Sequence, residues 1–521
     1  MVRAEENQKS RRTQADGLLG LRVPLKLFTL PCALPVTARR LAILLLCLSG
    51  PVLLLSACGP TVNRYALIDE RLRAGDVVRA DAIVEEAQKE YGSKSQVLYR
   101  MDRGMTLHLA GRYDDSTAVL EKADQEVEQL YTRRITTQTK AFLYNDTELP
   151  YEGAAYEQVM LNVVKALNYA VAGNLQDALV EARRLDHRLN VLADQTEDQS
   201  DAYRDDGLAR YLSGVLYEAA GELNDAFISY RKAHEAYLAA HSWSRMPVPP
   251  MLRTDLLRIT DALHLADEHA QYRQAFSDVP WQPEADLRQL AQVVVVIYNG
   301  RAPRKEDHFL DLPISLEALR LVLLTKAAVG PQANTREARA AESLFYGLNG
   351  RIVRIALPRL VPQKTAIAYE QVSLVGADGS QSARSELIQD LSALSSKHFA
   401  DRFNSLAVKA VARAAIKYAA AEGIARGARA AAGRDTAGQL VALLVGSLAK
   451  TLAISTEEAD KRSWRTLPDE IQIARLWVPP GSYELRVRPI GKSGSPIGHE
   501  AVHPVTLQGG ETKFFTELAL P

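Results

Sequence analysis

Hydrophobic residues recur at helical spacing over the first half of the chain and at strand spacing over much of the second half. From Asn63 to about His269 apolar residues return every three or four positions, with few prolines, which predicts helices. Beyond Pro280 the run Gln292–Tyr298 is almost entirely β-branched and is followed by Asn299-Gly300, which predicts a buried strand and a turn. The pattern therefore predicts an α+β chain of several domains, with the helical part first.

Four segments of the helical half share one internal pattern, in which a glycine separates two stretches with small residues at regular positions. The two clearest copies, from Gly104 to Ala123 and from Gly214 to Ala233, resemble the tetratricopeptide repeat. The resemblance implies paired helices that cross closely at small residues and turn at glycine. The predicted packing residues are Gly75, Gly104, Gly111, Tyr113, Ala123, Tyr169, Gly173, Ala178, Gly214, Tyr217, Gly221, Ala226, Tyr230 and Ala233.

The predicted turn glycines are unevenly spaced. Successive glycines lie 36, 62 and 48 residues apart, whereas the repeat family has a steady period of about 34. Extra segments therefore interrupt the array, one over 136–153 and one over 193–206. The second is acidic and is expected to be a solvated loop; a docking patch for a basic partner and a weak calcium loop remain alternatives, although EF-hand spacing is absent.

The second half alternates as strands do, with a helical interruption. Strands are predicted over 352–357, over 366–375, around Tyr483 and through Phe514 and Phe515, and together they favour a β-sandwich-like domain. The interruption contains an alanine-rich stretch over 406–432 and an almost uncharged stretch over 438–454. We expect a buried pair of helices there. The alternative is a hairpin that touches the membrane or forms oligomers, with 438–454 as a weak spanning segment.

The N-terminal region has the pattern of an export signal. Arg39 and Arg40 precede an apolar run of about 15 residues, and Leu55-Ser56-Ala57-Cys58 resembles the lipobox of bacterial lipoproteins. That resemblance implies that Cys58 receives the lipid and becomes the first residue of the mature chain. A retained transmembrane helix is the competing interpretation, but the run is short for a bilayer and is broken by Gly50-Pro51.

The predicted boundaries follow from these patterns. Residues 1–57 form a signal peptide whose long leader, rich in arginine, indicates a misplaced start. The helical repeat domain spans 58–275, the first part of the β domain 285–384, the helical insertion 385–460 and the C-terminal strands 461–521.

Cysteine usage and charge narrow the chemistry further. Cys32 and Cys47 precede Cys58, so the mature chain keeps one cysteine and can form neither an internal disulfide nor a thiolate metal site. The whole chain has 63 basic and 63 acidic residues, and residues 1–57 hold 8 and 3 of them, which leaves 55 against 60. This slightly negative balance gives no argument for nucleic acid, and we expect no cofactor and no metal.

The sequence His499-Glu500-Ala501-Val502-His503 matches the H-E-x-x-H signature of zinc proteases. That chemistry needs both histidines one turn apart on a helix. Gly498 and Pro504 flank the motif within a region of strand-like alternation, where residues four apart lie about 13 Å from each other. The match is therefore expected to be a coincidence.

A second histidine has acidic neighbours at helical spacing. Asp261, His264 and Glu268 are predicted to share one helical face, which favours a surface salt-bridge face over a metal site. The sequence also lacks a phosphate-binding loop, a dinucleotide fingerprint and a nucleophile elbow. We therefore expect a protein without catalytic residues.

Two further stretches carry a resemblance to a family. The region from Tyr151 to Asp186 and the segment Trp464–Asp469 are similar to a little-described family of bacterial tetratricopeptide lipoproteins, which implies an envelope protein without an established activity. Since repeat arrays present a concave binding surface, we expect a non-catalytic, lipid-anchored periplasmic adaptor that binds envelope proteins or peptides. By resemblance to lipoprotein sorting, Gly59 after the lipidated cysteine, in place of aspartate, favours the outer membrane if the source is Gram-negative.

Two alternatives remain open from the sequence. One is an accessory activator or assembly factor for cell-wall synthesis or for secretion machinery. The other is a hydrolase of envelope polymers, for which no acid/base pair is evident.

Overall fold

In the computed structural model the described residues belong to one compact unit, Gly59–Pro521. The structure describes residues 65–137, 146–195, 206–313, 352–404, 406–407, 410, 427, 439 and 458–520. The predicted signal peptide, Cys58, most of the acidic run and nearly all of the alanine-rich stretches lie outside these residues.

The helical half consists of consecutive helix pairs, as the repeat pattern predicts. The helices are α1 Tyr65–Arg73, α2 Val77–Glu86, α3 Gln88–Tyr91, α4 Gln96–Leu109, α5 Tyr113–Thr137, α6 Ala155–Val171, α7 Leu175–Gln195, α8 Gly207–Ala219, α9 Leu223–Ser244, α10 Pro250–Ala262, α11 Ala266–Ala275 and α12 Glu284–Leu287. Within the described residues they form five successive pairs: α1 with α2, α4 with α5, α6 with α7, α8 with α9, and α10 with α11.

Four of these pairs turn at a glycine in the left-handed region. The φ angles are 71° at Gly75, 73° at Gly111, 80° at Gly173 and 78° at Gly221. In each turn the next residue donates its N–H back into the first helix, as Arg112 does to Leu107 O at 2.9 Å. This hydrogen bond is the one that closes a helix at a left-handed residue, so the turn glycines end the first helices for a conformational reason.

The fifth turn has histidine where the others have glycine. His264 has a φ of 54°, and Leu265 N–H donates to Thr260 O at 2.9 Å. The prediction that Asp261, His264 and Glu268 share one helical face is therefore wrong. Helix α10 ends at Ala262 and Glu268 belongs to α11, so the three residues lie on two helices and the turn between them.

The other predicted packing residues lie where paired helices meet. A Cβ atom on Gly104 would overlap the Leu120 side chain, and one on Gly214 would overlap the Tyr230 ring, so both glycines permit close approach. Tyr113 and Tyr169 are partly exposed. The remaining members of the set are buried: Ala123, Ala178, Tyr217, Ala226, Tyr230 and Ala233.

Among the described residues the strands form two sheets of four and one two-stranded ribbon. The strands are β1 Ala291–Asn299, β2 Arg301–Pro313, β3 Ile352–Gln363, β4 Ile367–Gly376, β5 Gly379–Arg384, β6 Glu386–Asp390, β7 Glu470–Val478, β8 Gly481–Gly491, β9 Ala501–Leu507 and β10 Thr512–Ala519. The central sheet has the order β10-β1-β7-β6 and the outer sheet the order β5-β4-β8-β9, while β2 and β3 pair as the ribbon.

The central sheet is covered on both faces. Along β1, Val293, Val295 and Ile297 pack against the outer sheet, whereas Val294 and Tyr298 belong to the same core as the helix pairs. A strand buried on both faces needs apolar residues at successive positions. This explains why the β1 sequence is a continuous apolar run instead of an alternating one.

The range 385–460 differs from the predicted helical insertion at its start. It opens with β6, Glu386–Asp390, which pairs with β7, and a helix follows over 391–404. No helix in the described parts of the chain combines the length and hydropathy that a membrane span requires.

Candidate functional site

The first helix of each pair faces the β half of the chain. Helices α1, α4, α6, α8 and α10 supply buried side chains that bind the central sheet or the segment just before β7. We call their shared side the inner face, and we call residues 458–469 the crossing segment. In repeat proteins such a face commonly receives a partner; here it contacts residues of the same chain.

Helix α6 holds the middle of the crossing segment. Trp464 N–H donates to Glu157 Oε1 at 2.8 Å, and the Trp464 side chain is 1% exposed. The other oxygen of Glu157 accepts from Ala154 N at 2.8 Å and from Tyr151 Oη at 2.5 Å. One buried carboxylate therefore fixes both the start of α6 and the backbone of the crossing segment.

Helix α4 binds the next part of the crossing segment through Asp102. Its Oδ1 accepts from Thr466 Oγ1 at 2.8 Å and from Thr466 N at 3.2 Å. Its Oδ2 accepts from Tyr65 Oη at 2.6 Å and from Tyr91 Oη at 2.8 Å. Burial raises the pKa of Asp102, while the four donors oppose that rise by stabilising the carboxylate.

Helix α1 completes this set of contacts. Asp69 Oδ1 accepts from Arg301 Nη2 at 2.7 Å, and Arg301 also donates to Thr466 O at 3.0 Å. The guanidinium of Arg465 lies 4.1 Å from the centre of the Tyr65 ring. The crossing segment is thus bound by α1, α4 and α6, although its residues lie more than 300 positions away in sequence from those helices.

Helices α8 and α10 bind the central sheet through a buried cluster of charges. Arg475 on β7 lies 2.5 Å from Asp255 and 3.1 Å from Glu218. Arg258 lies 2.6 Å from Glu218 and 2.8 Å from Asp255, so two guanidinium groups and two carboxylates alternate. Both arginines also lie over the Trp477 ring. We call these four charged residues the charged seam.

The two arginines of the charged seam keep the Glu218 carboxyl ionised. Burial by itself raises the pKa of Glu218, but Arg258 and Arg475 together lower it well below its usual range. The carboxylate is therefore ionised at neutral pH, and the seam is an ion-pair network.

A neutral histidine joins α4 to the central sheet. His108 Nδ1 lies 2.6 Å from Asn168 Oδ1 and its Nε2 lies 2.9 Å from Tyr298 Oη. The amide oxygen only accepts, so Nδ1 carries the proton and Nε2 accepts from the tyrosine. Burial lowers the pKa of His108 to about 4.

A second ion cluster lies within the helical half. Lys165 on α6 is 0% exposed and contacts Glu121, Asp124 and Glu181 at 2.9, 2.7 and 3.2 Å. Burial lowers the pKa of Lys165, but Asp124 and Glu181 outweigh that effect and raise it overall. Since the carboxylates come from α5 and α7, this cluster joins the second helix pair to the third.

The residues of the H-E-x-x-H motif occupy an extended segment. His499 and Glu500 precede β9, and His503 lies within that strand, as the local alternation predicts. His503 Nε2 lies 2.5 Å from Glu517 Oε1 on β10, so this histidine joins the edges of the two sheets. Among the described residues no group of three histidine, cysteine or carboxylate side chains is arranged to hold a metal ion.

The sequence interpretation missed the residues that join the two halves. Arg475 in β7 interrupts an otherwise apolar run, and this is the signal that could have marked it as a buried polar contact. Lys165 carries the same signal within α6. Asp102 in α4 has no such signal, because Arg100 and Arg103 flank it.

Comparison with known proteins finds only weak similarity to this chain. No protein-family model and no curated protein matches the chain. The crystal structure of the apo form of RapI superposes with a TM-score of 0.30 and 11% identity, over 40% of this chain and 50% of RapI. The crystal structure of MamA gives a TM-score of 0.25 and 15% identity, over 40% of this chain and 90% of MamA. Both are helical-repeat proteins, and this chain spans about half of the RapI chain.

Proposed function

We propose that this chain is a non-catalytic adaptor of the bacterial cell envelope. Acylation of Cys58 anchors it in the outer membrane, facing the periplasm, and its helical repeats bind protein partners. The lipobox-like sequence Leu55-Ser56-Ala57-Cys58 supports the anchor, and the helix pairs support the binding role by analogy with repeat proteins in general.

The main observation behind this proposal is that the inner face is already occupied by the β half of the same chain. We infer from it which surface a partner uses. Because Asp102, Glu157 and Arg475 are consumed in contacts between the two halves, a partner binds the opposite side of the array. We call this side the outer face. Helices α5, α7 and α9 contribute to it, and α9 also contacts the central sheet, because Tyr237 Oη donates to Ile388 O on β6 at 2.9 Å. The outer face exposes apolar side chains on two helices: Val180, 40% exposed, Ile228, 42%, and Leu238, 57%.

The charged groups support a role without catalysis. The buried carboxylates Asp102, Glu157 and Glu218 each contact two or more donors from other elements. Groups held in this way position elements and are not poised to exchange protons with a substrate. Their arrangement supports a function in binding through surfaces.

The anchor is tested by membrane fractionation of the full-length chain and a Cys58→Ala variant. We expect the wild type in the membrane fraction and the variant in the soluble fraction, since one lipid-modified cysteine supplies the attachment. Retention of the variant on membranes after a high-salt wash would refute the anchor.

The outer face is tested by photo-crosslinking in cells. A photoreactive residue at Leu238 or Ile228 is compared with one at Gln381, an exposed position on β5. We expect the outer-face positions to yield a discrete cross-linked protein that Leu238→Glu abolishes. Equal cross-linking at Gln381, or none at any position, contradicts the proposed surface.

A further inference from the structure

Three buried residues connect the two sheets where the chain passes from one to the other. Ser385 lies between β5 of the outer sheet and β6 of the central sheet. It faces Glu370 on β4 and Gln472 on β7. Glu370 N donates to Ser385 Oγ at 2.7 Å, and Ser385 N donates to Glu370 O at 2.9 Å. Glu370 is 0% exposed and Gln472 is 1% exposed.

The hydrogen bonds around Ser385 require one more proton than an ionised Glu370 provides. Ser385 Oγ lies 2.6 Å from Gln472 Oε1 and 2.9 Å from Glu370 Oε2. The amide of Gln472 is oriented by its Nε2, which donates to Ala368 O at 3.3 Å. A hydroxyl has one hydrogen, so it cannot donate to both oxygens. A protonated Glu370 donates to Ser385, and Ser385 then donates to Gln472.

The charges nearby also favour the protonated acid. Within the described residues no cation forms an ion pair with Glu370, and its Oε1 lacks a hydrogen-bond partner. Lys364 is paired with other carboxylates and lies 2.9, 3.2 and 3.4 Å from Asp390, Asp469 and Glu470. The carboxyl of Glu386 on β6 accepts from Met251 N at 2.8 Å.

The direction of the titration follows from burial. Burial raises the pKa of Glu370 to about 7; the contact with Ser385 opposes this rise, and the negative charge of Glu470 adds to it. A raised pKa means that the folded state holds the proton more tightly than the unfolded state. The stabilisation is therefore complete at acidic pH and is lost as the pH rises through 7.

We propose that Glu370 is a proton-operated link between the two sheets. Protonated, it holds Ser385 and Gln472 in one hydrogen-bonded chain from β4 through the crossover to β7. Ionised, it leaves a buried charge beside Glu470 and releases the crossover between β5 and β6.

Hydrogen exchange of the full-length chain tests the link. Protection of the peptide over 379–390, corrected for intrinsic exchange, is measured at pH 5.5 and pH 8.5. We expect the protection factor of the wild type to be about tenfold to thirtyfold lower at the higher pH. Glu370→Gln, whose neutral amide donates to Ser385 at every pH, should lose less than about threefold. The same pH-dependent loss in Glu370→Gln would overturn the proposal.

A control and a second readout separate the link from general instability. Glu386→Gln removes the other carboxyl of the measured peptide whose pKa burial raises to about 7. The comparison is therefore repeated in the Glu386→Gln background, where the difference between Glu370 and Glu370→Gln should persist. In infrared difference spectra of the Glu386→Gln variant, which keeps Glu370, a protonated carboxyl band should be present at pH 5.5 and vanish by pH 8.5. Its absence at pH 5.5 or its persistence at pH 8.5 contradicts the proposal, whether or not Glu370→Gln folds.

Discussion

The two faces of the central sheet are packed by different chemistry. Towards the outer sheet the contact is aliphatic, with Val293, Val295 and Ile297 from β1 meeting Leu374 and Leu485. Towards the helices the same sheet presents Tyr298 to a histidine and Arg475 to two carboxylates. Apart from the hydrogen bonds of Ser385 at the crossover and the His503–Glu517 pair at the sheet edges, the sheet is thus held on the outer-sheet side by apolar area and on the helix side by apolar area with directional contacts.

The two kinds of packing have different effects: apolar burial stabilises the fold, and paired charges determine which residues meet. Apolar burial is roughly proportional to area and has no direction, so it holds two sheets together without fixing which residues meet. Buried ion pairs repay their desolvation cost only when the geometry is right. We infer that the charged seam selects the register between helices and sheet, because a shifted α10 would leave Asp255 and Arg475 unpaired.

The largest effect is expected from Arg475→Met in the charged seam. It leaves Asp255 and Glu218 buried with Arg258 as their remaining guanidinium, and removal of one partner from a buried ion network costs about 3–5 kcal/mol. Denaturant unfolding of the full-length chain in detergent measures the loss. The loss should shrink as the pH falls, since protonation of the orphaned carboxylates removes the unpaired charge.

Its control lies one residue further along the same strand. Leu476 faces the outer sheet and is 3% exposed, so Leu476→Ala should cost about 2–4 kcal/mol through cavity formation, independently of pH. An equal pH dependence in both variants would erase the contrast between the two faces.

A smaller loss is expected from Asp102→Asn on the inner face. Asparagine keeps one acceptor for Thr466 but presents an NH₂ group to the hydroxyls of Tyr65 and Tyr91. Loss of charge-assisted hydrogen bonds of this kind costs about 2 kcal/mol. Asp114→Asn in the first turn of α5 is the control, since Asp114 is exposed, and it should change stability by less than about 0.5 kcal/mol. Equal effects in thermal unfolding would show that the crossing segment is not held by Asp102.

The turns give a pair of predictions with opposite signs. His264→Gly should stabilise the fold by about 1 kcal/mol, because a left-handed residue strains histidine and not glycine. Gly221→Ala at the equivalent turn should destabilise it by a similar amount. No heavy atom lies within 4 Å of the added Cβ, so only the backbone contributes. If both changes shifted the unfolding midpoint in one direction, the fifth turn would not be equivalent to the others.

The smallest effect concerns the histidine between the sheet edges. The hydrogen bond with Glu517 raises the pKa of His503, so the contact stabilises the fold at acidic pH and is lost as the pH rises through that pKa. Since the side chain is 41% exposed, His503→Gln should cost less than about 1 kcal/mol at pH 5.5 and nothing measurable at pH 9. His499→Gln, in the same H-E-x-x-H sequence, is the control; a comparable loss there would contradict the assignment.

Local patterns predicted the elements better than their assembly. The turn glycines and the valine-rich strand β1 carry signals within a few residues, and the structure has turns and a strand at those positions. The fifth helix pair was missed because its left-handed turn residue is His264, whereas the sequence signal of such a turn is usually a glycine. Occupation of the inner face was not predictable, since the contact of Thr466 with Asp102 joins residues 364 positions apart and leaves no trace in either local pattern.

The most direct test of the shared core is native-state hydrogen exchange of the full-length chain at rising denaturant. We predict that amides of α6, Ala155–Val171, and of β1, Ala291–Asn299, converge on one opening free energy with one slope, because the helix pairs and the central sheet form a single core. Arg475→Met should lower both by the same amount. Persistent protection of α6 after β1 has lost its own, with only β1 affected by Arg475→Met, would contradict this account.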